Sequence, residues 1–163
     1  MYYLSIASAR EKIFIANPYF IPGDQAIDTL IAARQRGVEV KVMVSGVHND
    51  NALARYNGTR LYGRLLEAGV EIYEYNRTML HHKLMVCDGL WSTVGTTNFD
   101  DRSFAHNDEN NICVYDHSFA EEWEKIFCDD LRDCKKVELR AWRDRSTAIK
   151  ATELFMALFK SQV

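Results

Sequence analysis

Apolar residues recur along the first third of the chain at spacings that alternate between those of helices and strands. Residues 2–10 carry apolar side chains at helical spacing, and the apolar run 13–21 predicts a buried strand. Asp24 is placed to cap a following helix, and Gly37 is placed to end it. This helix has one apolar face, formed by Ala26, Ile27, Leu30 and Ile31.

A helix–Gly–Val–Glu–strand pattern occurs twice, as RGVEVKV and AGVEIYE. Residues 38–44 and 70–75 are the predicted strands, and residues 51–68 form the predicted helix between them. Successive helix–strand units are typical of α/β folds with parallel strands. We therefore predict an α/β fold with a mixed, largely parallel β-sheet flanked by helices.

A short hairpin with a polar end follows these units. Residues 84–87 and 92–95 are apolar and rich in β-branched side chains, and the turn dipeptide Asp88-Gly89 lies between them. Because the position before Gly89 suits a turn, we expect the Asp88 carboxylate to cap backbone donors rather than to act in catalysis.

The last part of the chain predicts one more strand and two helices. Residues 112–116 predict the strand, and Ser118 with Glu121 forms a possible capping box for the next helix. A helical tail begins near Ser146 and has one apolar face. We expect this tail to pack on the sheet, with contact to lipid as the alternative. No linker divides residues 1–163, so we predict a single domain with a C-terminal helical tail.

Composition narrows the classes of function. The 163 residues are 47% hydrophobic and carry a net charge of −3, which is typical of an ordinary globular domain. No apolar run approaches the roughly 20 residues that a membrane span needs, and the N-terminus lacks a signal-peptide layout. The four cysteines and the scattered histidines form no metal-ligand pattern, so we predict no metal and no disulfide framework.

Two basic side chains at the start of the hairpin offer phosphoryl chemistry. Alternate residues of a strand share one face, so His81 and Lys83 project together and His82 points away. An imidazole is a nucleophile or a proton carrier at neutral pH. The lysine supplies fixed positive charge for phosphoryl oxygens as their negative charge develops. We predict that both residues are catalytic.

The second hairpin strand ends in polar groups that can bind the same oxygens. Gly95 allows close approach of the backbone, Asn98 is a predicted catalytic amide donor, and Thr96 and Thr97 are predicted to bind substrate with Gly95. The alternative is a plain β-hairpin with a polar end, although a structural hairpin has no need of this polar set.

These residues form the pattern H-x-K-x4-D-x6-G-T-x-N over positions 81–98, which resembles the HKD motif of the phospholipase D superfamily. The segments PYFIPGDQAIDTLIAARQRGVEVKVMVSG, LYGRLLEAGVEIYEY and VGTTNFDDRSF are similar to the second half of bacterial cardiolipin synthases. That family builds each active site from two HKD motifs, and this chain carries one. A domain of a longer protein, a truncated product and a genuine single-motif protein remain open.

The resemblance implies a mechanism and further site residues. One histidine attacks phosphorus to form a phosphohistidine, and the histidine of the other motif protonates the leaving alcohol. As part of the second half, His81 would be the acid and base. Glu109 matches the acidic residue that accepts a hydrogen bond from the second nitrogen of this histidine. No cofactor is implied.

The resemblance also implies the partners: a phosphatidylglycerol-like phospholipid and a second HKD domain, supplied by an N-terminal half or by a homodimer. It implies a peripheral location at the cytoplasmic face of a bacterial cell membrane. Two other functions remain open. One is a homodimeric phosphodiesterase that cleaves nucleic acid, although the pI near 5.9 and the lack of a basic stripe argue against nucleic-acid binding. The other is a catalytically inert half-domain.

Overall fold

The computed structural model describes residues 1–159. Helices and strands alternate along most of this length, and a single 3₁₀ turn at Leu131–Asp133 precedes the last strand. The elements are α1 (Tyr2–Ser8), β1 (Lys12–Ala16), β2 (Phe20–Ile21), α2 (Asp24–Gln35), β3 (Glu39–Ser45), α3 (Ala52–Glu67), β4 (Glu71–Tyr75), β5 (Lys83–Cys87), β6 (Trp91–Gly95), β7 (Phe99–Asp100), α4 (Asp101–Ala105), β8 (Asn111–Tyr115), α5 (His117–Asp130), β9 (Cys134–Lys136), α6 (Leu139–Arg143) and α7 (Thr147–Ala157).

Seven strands form one sheet in the order β8-β6-β5-β1-β3-β4-β9. The pairs β1–β3 and β3–β4 are parallel, and α2 and α3 connect these strands. The other four neighbouring pairs in this sheet are antiparallel. The mixed α/β class is therefore confirmed, and the parallel pairing lies where the sequence repeats its helix–strand unit.

Helices cover both faces of the sheet because its central strands are apolar on both sides. Ile13 and Ile15 of β1 belong to a core shared with α1, α2 and α3. Phe14, the residue between them, faces the other side and stacks on Phe127 of α5 with ring centroids 5.0 Å apart. Burial on both faces explains why the predicted strands were apolar runs.

The apolar run 13–21 forms two strands rather than the single strand that we predicted. β1 ends at Ala16 because Asn17 turns its side chain to the backbone: its Nδ2 donates to the Thr97 carbonyl oxygen (3.3 Å) and its Oδ1 accepts from Tyr19 N (3.3 Å). Pro18 also lacks an N–H for a ladder. β2 instead pairs in parallel with β7 in a separate two-stranded sheet.

Two predicted helix caps were wrong. Gly23 is the N-cap of α2, and Asp24 is its first helical residue. Asp116 caps α5 by accepting a hydrogen bond from Phe119 N (2.8 Å), so the helix begins before the predicted box at Ser118. An aspartate two residues upstream satisfies the free N–H groups first.

The C-terminal tail packs on α3 rather than on the sheet. Its helix α7 begins after Ser146, whose hydroxyl accepts from Ile149 N (3.3 Å). The side that faces the protein holds Glu153, which is buried and paired with Arg145 (2.9 Å). Within residues 1–159, no helix combines the length and apolar character required to cross a membrane.

Candidate functional site

The candidate site lies at the edge of the sheet where the parallel strands end. β5 runs antiparallel to β1 with Leu84 opposite Ala16, so the first residue of β5 lies beside the carboxyl end of β1. Lys83 is that first residue, and His81 precedes it. Loops that follow parallel strands meet at this edge, which is a common position for ligand sites in α/β proteins.

Lys83 and His81 are in contact and differ sharply in burial. Lys83 is 6% exposed, whereas His81 is exposed. The Lys83 ammonium donates to the His81 carbonyl oxygen (2.8 Å), and its Nζ lies 3.4 Å from His81 Nδ1. Burial lowers the pKa of Lys83, while attraction to Glu109 and Asp50 opposes that shift. The pair thus places a partly desolvated cation against an accessible imidazole, as the strand alternation predicts.

His82 has a different environment. Its side chain is half-buried, and burial lowers its pKa. Attraction to Asp130 of α5 opposes the shift, and repulsion from Lys83 adds to it. Burial therefore favours the neutral form of His82, which lies beside the helix that covers the opposite face of the sheet.

Gly95 is required by close packing at the end of β6. It pairs with Lys83 on one side and with Asn111 on the other. A Cβ atom at this position would overlap the backbone oxygen of Asn110 and the Asn111 side chain. Glycine therefore lets β8 approach the strand that carries the site.

The two threonines after Gly95 are already used by the protein. Thr97 is buried, and its hydroxyl donates to Asn111 Oδ1 (2.8 Å). The hydroxyl of Thr96 donates to the Glu109 carboxylate and accepts from Asn110 N (3.0 Å). These bonds hold the loop after β6 in place, so substrate binding by either hydroxyl stays a prediction.

The side-chain amide of Asn98 can still form a hydrogen bond. Its Oδ1 is buried and has no hydrogen-bond partner among the described residues. Buried polar atoms are almost always paired, so an amide atom without a partner is a candidate for ligand contact. Because amide oxygen and nitrogen are assigned from their surroundings, rotation of this amide would present a donor instead.

Glu109 does not contact His81 in this structure. The carboxylate accepts from the Thr96 hydroxyl and from Asn107 Nδ2 (3.3 Å), while His81 Nδ1 faces Lys83. Instead, Thr96, in the loop directly after β6, donates its hydroxyl to the carboxylate. The orienting role of Glu109 stays a prediction that requires its carboxylate to exchange partners.

Asp88 supports the backbone at the opposite end of the hairpin. Its φ is 54°, and its carboxylate accepts three backbone hydrogen bonds, from Arg10 N (2.9 Å), Glu11 N (2.9 Å) and Lys12 N (3.0 Å). Asp88 thereby joins the hairpin turn to the loop that enters β1. It lies at the far end of β5 from Lys83.

Sequence reasoning missed a pair of residues near the lysine. The Tyr19 hydroxyl donates to Asp50 Oδ1 (2.7 Å), and burial together with this carboxylate raises the pKa of Tyr19 to about 12. Asp50 also attracts the Lys83 ammonium. Tyr19 lies inside the apolar run 13–21, and Asp50 lies in the loop after β3, so no local pattern links the two.

Metal-ligand geometry is absent from the part of the chain that the structure describes: residues 1–159 contain no cluster of three or more His, Cys, Asp or Glu side chains able to hold an ion. Lys83 contacts the imidazole of His81, and Glu109 and Asp50 are carboxylates that attract the Lys83 ammonium. The arrangement suits a reaction in which a fixed ammonium neutralises anionic oxygens and an imidazole transfers a proton or attacks phosphorus.

This sheet, with a histidine and a lysine at the start of its hairpin, is a phospholipase D-like fold. Nuc from Salmonella typhimurium, a phospholipase D family member, superposes with a TM-score of 0.71. The superposition covers 83% of this chain and 88% of Nuc at 20% sequence identity, so it shows the fold alone.

Residues 3–131 match the family described as cardiolipin synthase, PLD-like domain, and the chain belongs to that family. A cardiolipin synthase of Clostridium perfringens strain SM101 is 36% identical, with 96% of this chain and 33% of the relative covered. A probable cardiolipin synthase of Bacillus subtilis is 37% identical, with 98% and 32% covered. The chain thus spans about a third of the length of these curated relatives.

Proposed function

We propose that this chain supplies one HKD half-site of a phosphatidyltransferase of the cardiolipin synthase type. The substrate would be a phosphatidylglycerol-like phospholipid, reached from the cytoplasmic face of a bacterial membrane by peripheral attachment. The observation that carries the proposal is the buried Lys83 ammonium held against the exposed imidazole of His81. The names of the full-length relatives support the substrate class.

We assign His81 the role of general acid because the chain resembles the second half of the two-motif cardiolipin synthases. The acid form of a histidine is the imidazolium, since a neutral imidazole does not release its remaining N–H proton near neutral pH. Nζ of Lys83 lies 3.4 Å from Nδ1 of His81, so Nε2 is the nitrogen left to face a substrate.

The reaction follows from that assignment. A histidine of the second HKD domain attacks phosphorus, and a P–N bond forms as the P–O bond to the leaving glycerol breaks. Nε2 of His81 gives its proton to that oxygen. The hydroxyl of a second phosphatidylglycerol then attacks phosphorus, the P–N bond breaks, and His81 takes the hydroxyl proton back. Lys83 and the amide of Asn98 stabilise charge on the phosphoryl oxygens in both steps.

A second HKD domain is needed for geometric reasons. In-line displacement places the attacking and leaving atoms on opposite sides of phosphorus, and one imidazole cannot reach both. The exposed position of His81 leaves room for another domain to approach. In a homodimer, a two-fold axis would bring two copies of His81 and Lys83 around one phosphate.

Substitution of the neighbouring histidines tests the assignment. We expect His81→Ala to abolish phosphatidyl transfer and His82→Ala to retain most of it, because only His81 contacts Lys83 through its ring. Lys83→Ala should lower kcat by about 10²–10³, the usual effect of removing transition-state charge stabilisation. Thin-layer analysis of labelled phosphatidylglycerol in mixed micelles gives the rates. Equal losses from His81→Ala and His82→Ala would contradict the proposal.

Mixing experiments test the half-site. If a homodimer needs both copies of His81, activity of mixtures with His81→Ala should follow the square of the wild-type fraction, falling to about a quarter at equal amounts rather than about a half. Light scattering on the same samples reports the oligomeric state. A strictly monomeric chain with full turnover would refute the pairing. A monomer without turnover would favour a site completed by the rest of a longer protein.

A further inference from the structure

The side-chain amide of Asn111, the first residue of β8, makes four hydrogen bonds. Its Oδ1 accepts from the Thr97 hydroxyl (2.8 Å) and from Thr97 N (3.3 Å). Its Nδ2 donates to the hydroxyl oxygens of Tyr2 (2.8 Å) and Thr93 (3.1 Å). An amide side chain has two donor hydrogens and two acceptor lone pairs, so this one is fully used. Because a backbone N–H can only donate, the bond from Thr97 N fixes which way the amide points.

Gly95 gives the Asn111 side chain its path to Thr97. The two residues are partners in the pairing of β6 with β8. A Cβ atom on Gly95 would overlap Oδ1 of Asn111. Since glycine leaves that space empty, the Asn111 amide can cross the end of β6 and reach the residue two positions further along. The glycine of the motif and the asparagine of β8 therefore depend on each other.

The loop after β1 holds the same segment from its other side. Asn17 is 1% exposed, and its Nδ2 donates to the Thr97 carbonyl oxygen (3.3 Å). Phe99 N donates to the Tyr19 carbonyl oxygen (3.2 Å). Both neighbours of Asn98 are thus attached to the loop that follows the central strand.

Asn98 lies between these attached residues and keeps its own amide oxygen unpaired. This Oδ1 is buried and has no hydrogen-bond partner within residues 1–159. A loop that was free to move would relax until such an atom found a partner. The bonds to Thr97 and Phe99 oppose that relaxation, so the Asn98 amide is kept available for a ligand.

We propose that Asn111 is a positioning residue, which acts through Thr97 to hold the Asn98 amide ready for a phosphoryl oxygen. Asn111 itself does not touch the substrate in this role. A polar group that is already in place needs no reorganisation when negative charge develops on the oxygen. The inference rests on the proposed function, because that function gives Asn98 a phosphoryl oxygen to bind.

Nuclear magnetic resonance on isotope-labelled chain tests the inference, with inorganic phosphate as the probe. The Asn98 side-chain signals are identified by their loss in Asn98→Ala. In the wild type, phosphate should shift the signals of the Asn98 amide and of the His81 imidazole. Asn111→Leu keeps the approximate size of the side chain and removes its four hydrogen bonds. This variant should lose the Asn98 shift, keep the His81 shift, and raise the dissociation constant for phosphate by about tenfold.

Asn111→Asp is the conservative variant that should restore the signature. Its carboxylate can accept both bonds from Thr97, and the hydroxyls of Tyr2 and Thr93 can turn to donate to its other oxygen. The Asn98 shift at saturating phosphate should therefore return towards that of the wild type. Urea unfolding of each variant reports stability separately from this spectroscopic signature.

The matched control is Asn110→Leu, at an exposed asparagine that holds Thr96 through its backbone rather than its side chain. It should bind phosphate within about twofold of the wild type. If Asn111→Leu does not fold, Thr97→Val replaces it: the change removes the hydroxyl bond to Asn111 and should reduce the Asn98 shift.

Three results would overturn the inference: a full Asn98 shift in the folded Asn111→Leu or its replacement Thr97→Val, loss of the His81 shift together with the Asn98 shift, or a wild-type chain in which phosphate shifts His81 alone. Each of these leaves phosphate binding by the wild type intact. Phosphate that shifts neither residue of the wild type would instead contradict the proposed function.

Discussion

Replacing Asp88 with alanine should destabilise the fold and leave the chemistry of the folded protein intact. The carboxylate accepts from three consecutive backbone N–H groups, at Arg10, Glu11 and Lys12. Alanine removes all three acceptors. It also places a residue without a local hydrogen-bonding side chain at a φ of 54°, in the left-handed region.

The expected loss of stability follows from how far each of the three N–H groups is buried. Arg10 and Glu11 are exposed, so water can replace the carboxylate at their N–H groups. Lys12 is half-buried, and its N–H would lose a charge-assisted bond whose removal costs about 1.5–3 kcal/mol. The left-handed backbone adds about 1 kcal/mol. We expect a total loss of about 3 kcal/mol, which lowers Tm by roughly 6–12 °C for a chain of this size.

Urea unfolding of Asp88→Ala and Asp88→Asn measures the effect, with Asp108→Ala as a control at an exposed loop aspartate. Asparagine tolerates the left-handed region and keeps one acceptor oxygen, so its loss should be about half as large. Transfer by the folded fraction should stay within about twofold of wild type, whereas loss of a charge-stabilising group costs about 10²–10³. Large loss of kcat with unchanged stability would refute the structural role.

Three further outcomes can be checked on the same protein. Gly95→Ala should lower the free energy of unfolding in urea by more than about 2 kcal/mol, because the new Cβ would overlap the Asn110 backbone oxygen. Gly37→Ala has open space around the new Cβ but a φ of 93°, so it should lower this free energy by about 1 kcal/mol. Burial acts to raise the pKa of Glu71, but hydrogen bonds from Lys136 and Tyr73 prevail and lower it. Its contribution of about 0.5 kcal/mol is therefore present above pH 4.5 and lost as pH falls through the folded pKa, so Glu71→Gln should match wild type in acid only. Turnover should survive EDTA, and activity restored by magnesium or zinc after chelation would contradict a reaction driven by Lys83 and histidine.

Local sequence rules were sufficient to predict the repeated helix–strand units. The helix–strand pattern predicted α2, β3, α3 and β4 because apolar period and terminal glycines act within a few residues. Gly37 ends its helix as predicted. The same rules missed β9 and β7, which are three and two residues long. Strands this short exist only through partners distant in sequence, so no local period marks them.

The candidate site also combines features that the sequence could predict with features that it could not. Strand alternation predicted that His81 and Lys83 project together, and their side chains are in contact, although the strand itself begins only at Lys83. The hydrogen-bond partners of Glu109 depend on how β8 lies against β6, because this packing brings the Thr96 hydroxyl to the Glu109 carboxylate. The Tyr19–Asp50 bond joins loops after two different strands, a proximity that only the folded sheet creates.

The contrast between a buried lysine and an exposed histidine explains how one chain can be well folded and still provide only half of a site. Lys83 begins a strand at the centre of the sheet, so its ammonium is fixed by the fold itself. His81 lies just outside that strand, and its exposed ring contacts the Lys83 ammonium through Nδ1. With Nδ1 turned to the lysine, the imidazole offers a single nitrogen to solvent. In the half-site that we propose, a proton donor at His81 needs an attacking group on the far side of phosphorus, and we expect a second domain to supply it at the exposed edge beside His81.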